Sequence, residues 1–254
     1  MDPLIMTPTL LSRPFIDFHT HILPMIDDGS SDCGTSAEML SCLKRQGVGT
    51  VVLTPHFYTD RESLSSFLRR RETAWEALAP ILEQTEMDAV LACEMHFSDY
   101  IFNCSDIGAL CIRDRFLVTE LPYSFAFTEI QISKIGRLIS SYNITPVLAH
   151  IERYPELLKN CDCLDELIEM GCRTQINLGA LCDGGIRLRK TVLALIQSNR
   201  VHVVGTDCHN MKSRSPCYVP GVQVIAKKLG EDFVRLLTGN AESMLQQDEN
   251  SRFA

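Results

Sequence analysis

The chain is short of basic residues: 24 Lys and Arg stand against 32 Asp and Glu, for a formal net charge of −8. Nucleic-acid binding draws most of its affinity from cations set against phosphates, so this balance argues against a nucleic-acid partner. On charge alone it also makes a poor receptor for phosphate. No run approaches the roughly 18 apolar residues of a membrane helix, so no stable membrane insertion is expected. The opening stretch, MDPLIMTPTLLSRP, lacks the positive charge of a secretory signal and is interrupted by Pro3 and Pro8. There is no glycine-rich dinucleotide loop, no linker and no internal repeat. The 11 cysteines include one close pair, Cys161-x-Cys163, with no second pair to complete a zinc site. An odd, scattered set reads as reduced thiols in a cytoplasmic protein.

What is present fits a globular enzyme. The 254 residues are 45% hydrophobic and 22% charged, which excludes global disorder. We read a single domain over 14–246, an N-terminal extension over 1–13 and a polar tail over 247–254. Within the domain, β-rich runs alternate with helical patterns. Strands are expected at 14–18, 50–54, 87–94, 115–120, 145–150, 173–177 and 201–207. Thr35-x-x-Glu38 predicts a capped helix closed by Gly47, and Thr128-x-x-Gln131 predicts another. Residues 61–86 have helical spacing, with Pro80 expected to break or kink the helix. Further helices are expected at 186–198 and 220–245. About seven strands joined by helices imply a parallel sheet, and a β/α barrel more than an open sheet.

Active sites of such barrels lie at the C-terminal strand ends. The first strand runs into Asp17-Phe18-His19-Thr20-His21, then Asp27-Asp28-Gly29. The second gives His56, the third Glu94, the fourth Glu120 and the fifth His150 followed by Glu152-Arg153. The sixth ends at Asn177 and the seventh at Asp207-Cys208-His209. So many imidazoles and carboxylates at one end point to a metal cluster, and the mixed set suits Zn, Mn or Fe. His19-x-His21 and Asp207-x-His209 are i, i+2 pairs, which share a face on a strand. Glu94 or Asp207 is placed to bridge two ions. Asp17 is expected to orient an imidazole from behind. One of Asp27 and Asp28 is expected as a ligand, though both suit a turn. His96 lies past the ligand position. His202 starts its strand, where a structural role is expected. Arg153 and Arg214 are placed to fork onto phosphate oxygens.

Cys208-x5-Arg214 has the spacing of cysteine-dependent tyrosine phosphatases. That chemistry needs a thiolate cradled by backbone N–H groups. The intervening residues contain no glycine, and Asp207 beside the cysteine would raise the thiol pKa. A thiol mechanism is therefore set aside.

IDFHTHILPMIDDGS, TPHFY, ACEMHF, TELPY, PVLAHIERYP, MGCRTQIN and GTDCHNMKSRSP together resemble the PHP (polymerase and histidinol phosphatase) superfamily. Within it they are most similar to the bacterial capsule and exopolysaccharide protein-tyrosine phosphatases. The resemblance covers nearly the whole chain and implies a distorted (β/α)7 barrel. It implies three divalent metal ions, usually Mn2+, with Fe or Zn as alternatives. It also implies hydrolysis of phosphotyrosine on the tail of a bacterial tyrosine kinase that regulates polysaccharide export. Carried over residue by residue, one ion would take His19, His21, Glu94 and Asp207. A second would share Glu94 and take His150, with Glu120 near it. The third would take Asp28, His56 and His209. Arg153 and Arg214 match the phosphate-binding arginines, and Asp207 or a histidine is expected as proton donor. Attack by metal-activated hydroxide, without a phosphoenzyme, is the expected chemistry. Cys208 departs from the family, which has a larger apolar residue there. The rival readings are a histidinol-phosphate or other small-molecule phosphatase, a nuclease, and a metal-stabilised binding protein without turnover. Bound divalent ions would cancel most of the negative charge and make the pocket locally positive, which removes the charge objection to phosphate.

Overall fold

The computed structural model describes residues 13–246. The expected extension, apart from Arg13, and the expected tail lie outside the described residues. β1 (Phe15–Thr20) leads to α1 (Cys33–Arg45) and β2 (Val48–Leu53). The chain resumes as β3 (His56–Tyr58), crosses through α2 (Leu64–Thr85) and returns as β4 (Asp88–Leu91) and β5 (Glu94–His96). Then come β6 (Phe116–Glu120), α3 (Glu129–Tyr142) and β7 (Thr145–Leu148). α4 (Pro155–Lys159), α5 (Cys161–Glu169), β8 (Arg173–Asn177), α6 (Gly179–Cys182) and α7 (Ile186–Gln197) follow. β9 (Val203–Gly205), α8 (Tyr218–Leu229) and α9 (Glu231–Leu245) complete the order.

The fold is α/β with two all-parallel sheets, β1-β2-β4 and β3-β5-β6-β7-β8-β9. The strand expected at 87–94 is split, and the one expected at 50–54 is followed by a further short strand, β3. β2 and β3 are separated by Thr54-Pro55, and β4 and β5 by Ala92-Cys93. The register does not change across the gap: Leu53 lies opposite Leu91, and His56 opposite Glu94. Ala92 N–H donates to Leu53 O at 2.9 Å and Glu94 N–H to Pro55 O at 3.0 Å, so pairing continues through the break. Pro55 has no N–H to give, which interrupts the ladder locally. Arg71 of α2 fills part of the gap. Its buried guanidinium donates to Ala92 O and Ala109 O, both at 2.8 Å. At the other margin Asp207 N–H donates to His19 O at 2.8 Å and His21 N–H to Cys208 O at 3.0 Å, linking the chain after β9 to β1.

Side-chain alternation sorts the strands into two cores. Ile16, Phe18, Val52, Val118, Val147 and Val203 form one cluster, floored by Ala241, Met244 and Leu245 of α9. Along the same faces, two residues further up each strand, the polar groups begin: Ala92 is followed by Glu94 and Val118 by Glu120. The larger cluster packs the opposite faces against the helices, with Leu53, Leu148 and Ile176 among its members.

Two helix expectations change. α1 starts two residues before Thr35, capped by Asp32, whose carboxylate accepts from Thr35 N at 2.7 Å. The earlier carboxylate captures the end because it satisfies the same unpaired N–H groups. α2 runs on through Pro80. Buried Ala74, Leu78 and Leu82 hold both sides of the proline, and packing offsets one missing hydrogen bond. The closing helices expected over 220–245 are α8 and α9, parted at Gly230, whose φ of 107° suits glycine. No helix among the described residues is long and apolar enough to cross a membrane.

Candidate metal centre

The β1 ladder is irregular between Asp17 and Thr20. Phe18 stays with the apolar layer, while His19 and His21 face the polar end. β9 passes close by at Gly205, where an added Cβ would stand 2.7 Å from the His19 Cβ, so a side chain there is excluded. Glu94 opens β5, Glu120 closes β6, His150 follows β7 in a left-handed conformation (φ 35°), and Asp207 and His209 follow β9.

All nine candidate ligands fall in one connected cluster. His19 Nε2 and His21 Nε2 each lie 3.2 Å from Glu94 Oε2, and 3.7 and 3.4 Å from Asp207 Oδ1. The two Nε2 atoms are 3.2 Å apart. Glu94 continues outward: its Oε1 meets His150 Nε2 at 2.8 Å and its Oε2 meets His56 Nδ1 at 3.0 Å. Glu120 Oε1 lies 3.5 Å from His150 Nε2. Asp28 Oδ1 lies 3.4 Å from His56 Nε2 and 3.5 Å from His209 Nε2. Among the described residues, three groups are compact enough to hold an ion: His19, His21 and Asp207; His56, Glu94 and Glu120; and His21, Asp28, His56 and His209. His56 thus stands between two groups.

The proton arrangement explains why these contacts are not ordinary hydrogen bonds. His21 Nδ1 lies 2.8 Å from Asp27 Oδ2, His19 Nδ1 3.3 Å from Gln175 Oε1 and His209 Nδ1 3.0 Å from the Asp207 carbonyl. Each partner accepts, so in the neutral ring Nδ1 carries the hydrogen and Nε2 presents a lone pair. Lone pairs and carboxylates then face one another across a gap. Glu94 Oε2, Asp207 Oδ1, His56 Nδ1 and His209 Nε2 are buried without a hydrogen-bond partner. Donors sharing one ion at about 2.1 Å sit about 3.0–3.4 Å apart, close to the spacing here. The electrostatics agree. Burial opposes charge on Glu94 and Asp207, yet the His19 and His21 rings hold both well below the carboxylate range. Burial opposes protonating His19 as well, and Glu94 and Asp207 still raise it. The cluster demands positive charge.

Asp207 Oδ2 is held from the outer side. Arg153 and Arg214 each donate to it at 2.6 Å, and Asn177 Nδ2 at 2.7 Å. Both guanidiniums therefore stand at the rim on one carboxylate oxygen. Gln175 accepts from His150 N at 2.7 Å through the oxygen that faces His19, and it donates to Asn177 Oδ1 at 2.9 Å. Neither Gln175 nor Asn177 carries a role in the sequence reading. Their i, i+2 spacing on β8 is the signal that finds them.

Asp17 departs from expectation. It accepts from Thr206 N at 2.8 Å and Thr206 Oγ1 at 2.5 Å and touches no imidazole ring. The β1 irregularity turns it toward the β9 backbone, and burial lifts its pKa to about 7. The supporting role behind an imidazole falls to Asp27, which also accepts from His56 N and Gly29 N. Asp28, with its side chain 67% exposed, faces the cluster. His96 Nδ1 lies 3.0 Å from Glu120 Oε2, behind the ligand position. His202 packs at the opposite end against Thr174. Cys208 is buried, and burial pushes its thiol well above the ordinary value. Arg214 engages Asp207 instead.

The family model for capsular polysaccharide synthesis proteins of the CpsB/CapC type matches residues 15–246. The tyrosine-protein phosphatase CpsB of Streptococcus pneumoniae is 32% identical, covering 85% of this chain and 91% of its own length. The tyrosine-protein phosphatase YwqE of Bacillus subtilis is 29% identical, covering 91% of each. A solved structure from work on YwqE and CpsB, described as metal-dependent tyrosine phosphatases, superposes with a TM-score of 0.76 at 27% identity, covering 91% of this chain and 94% of that one. The capsule-synthesis resemblance carried by the motifs is borne out, and the chain belongs to the CpsB/CapC family.

Proposed function

We propose that this chain is a metal-dependent phosphomonoesterase that hydrolyses phosphotyrosine, and that its substrate is the tail of a bacterial tyrosine kinase of capsule or exopolysaccharide synthesis. One observation carries the reading: two imidazole nitrogens and two carboxylate oxygens converge at 3.2–3.7 Å with no hydrogen available to join them all. Relatives named as tyrosine-protein phosphatases support it. We read the two sheets over 14–246 as one distorted (β/α)7 barrel of PHP type, supported by the hydrogen bonds that tie His19 and His21 to the chain after β9.

The residues fit three divalent ions, with Mn2+ the first choice and Fe or Zn as alternatives. His19, His21, Glu94 and Asp207 would hold one. Glu94, His150 and Glu120 would hold the second, and Asp28, His56 and His209 the third. Such ions supply Lewis-acid charge and lower the pKa of water. Arg153 and Arg214 keep free N–H groups after binding Asp207, and these fork onto the phosphoryl oxygens. Asp207 keeps both arginines aimed. With Oδ2 held by both arginines and Asn177 and Oδ1 left for an ion, Asp207 serves as an anchor, which leaves a histidine as the proposed proton donor. A phenol with a pKa of about 10 leaves with less need of protonation than an alcohol. Cys208 takes no part, so no cysteinyl-phosphate forms, and attack by metal-activated hydroxide without a phosphoenzyme is the reading. Eleven free cysteines support action in the reducing cytoplasm.

The test combines purified protein and Mn2+ with a phosphotyrosine peptide, histidinol phosphate and single-stranded DNA, each with and without chelator. Chelator-sensitive hydrolysis of the peptide is expected, lost in His209→Ala and kept in Cys208→Ser. Preference for histidinol phosphate, or activity that survives chelation, would overturn the reading.

A further inference from the structure

Tyr123 lies in the loop after β6, and its ring is 69% exposed. Large aromatics stand singly on many surfaces without purpose. This one is tied to the site. Arg153 Nη1 approaches its hydroxyl oxygen at 3.4 Å, and the same guanidinium is fixed to Asp207 at 2.6 Å. Behind it an aromatic row descends to the cluster. The Tyr123 and Tyr154 rings are 6.4 Å apart and inclined by 31°, and the Tyr154 and His150 rings are 6.2 Å apart and inclined by 27°. Tyr154 is immobilised by a hydrogen bond from its hydroxyl to Leu121 O at 2.7 Å and one accepted from Leu121 N at 3.0 Å. Tyr123 is the outer end of that row, with its solvent side open.

Resting on the phosphatase reading, we propose that Tyr123 is the specificity-determining residue for aryl phosphomonoesters, its exposed ring packing against the phenyl group of the substrate. A phosphoryl group gripped by Arg153 leaves its ester carbon beside the residue that Arg153 touches. An offset aromatic pair then favours a phenyl ester over an alkyl ester. The ring makes the proposed contact and its row with Tyr154 places it, while the 3.4 Å contact to the hydroxyl is long, so phenylalanine can replace it.

The test measures binding of phenylphosphonate and methylphosphonate to the metal-loaded protein by titration calorimetry, which needs no turnover. The parent is expected to prefer phenylphosphonate. Tyr123→Ala should reduce that preference by about three- to tenfold, and Tyr123→Phe should retain it within about twofold. Equal binding of the two phosphonates by the parent overturns the inference alone. So does an alanine variant that keeps the parent's preference, or a phenylalanine variant that behaves like alanine. Failure of both phosphonates to bind overturns the phosphatase reading and this inference with it.

Discussion

At the scale of single residues, the centre is set by groups behind the ligands as much as by the ligands. Asp27 holds the His21 ring in place through Nδ1 and also ties down the backbone at Gly29 and His56. Asp27→Asn keeps the shape and removes the charge. Metal affinity should fall about 10- to 100-fold, read by titrating metal into apoprotein, while the fold remains by circular dichroism. The two rim arginines differ from lysine by geometry. Arg214→Lys keeps a charge but loses the fork that binds Asp207 and is proposed to bind phosphate with it. Its kcat/KM on a phosphotyrosine peptide should drop about 10²- to 10³-fold, and Arg153→Lys should behave alike. A loss below threefold in both would show that the fork is not used. The candidate ligands were legible in the sequence because they sit at strand ends, four of them in the i, i+2 pairs His19-x-His21 and Asp207-x-His209. Asp17 was misread because the spacing rule assumes a regular ladder, and β1 slips between Asp17 and Thr20.

At the scale of elements, the strand breaks deserve the most weight. Glu94 reaches the centre from the start of β5, just past the gap that Arg71 spans. Arg71→Leu leaves the buried Ala92 carbonyl without its donor and also removes the bond to the carbonyl of exposed Ala109. It should cost about 2–4 kcal/mol, seen as a lower urea midpoint with an unchanged slope. β6 matches the sequence reading closely, because its apolar run ends in clear polar groups, and β8 has the expected bounds. The break at Ala92-Cys93 was invisible, since two small residues continue the apolar pattern, and β3 beyond Pro55 was missed because the pairing that holds it is tertiary. At the far end of β9, burial and the nearby Arg173 push His202 down to about 4. An unfolded histidine titrates near about 6.5, so protons bind preferentially to the unfolded chain. Stability from this site is complete above that value and lost as pH falls toward 4. His202→Asn should flatten the thermal midpoint against pH across this window relative to the parent.

At the scale of the whole molecule, fold and centre occupy different storeys of one interior. The apolar storey of Ile16, Val52, Val118 and Val203 carries no ligand, and the ligands rest on it. The protein without metal should therefore keep its secondary structure. It should gain stability as Mn2+ is added, the thermal midpoint rising with free ion concentration beyond the dissociation constant. A chelator that leaves the midpoint unchanged would mean that no ion binds the folded state preferentially. The acidic composition takes on a local meaning, since Glu94, Glu120 and Asp207 are buried at the cluster.

The bond between Asp17 and Thr206 joins positions 189 residues apart. A ribosome releases the first strand long before the last. At usual synthesis rates, roughly 10–40 seconds separate the emergence of Asp17 from that of Thr206. Until then His19 and His21 stand on a nascent chain without Asp207 and His209, which come later still. The candidate ligand set is therefore complete only once the chain has been made up to His209.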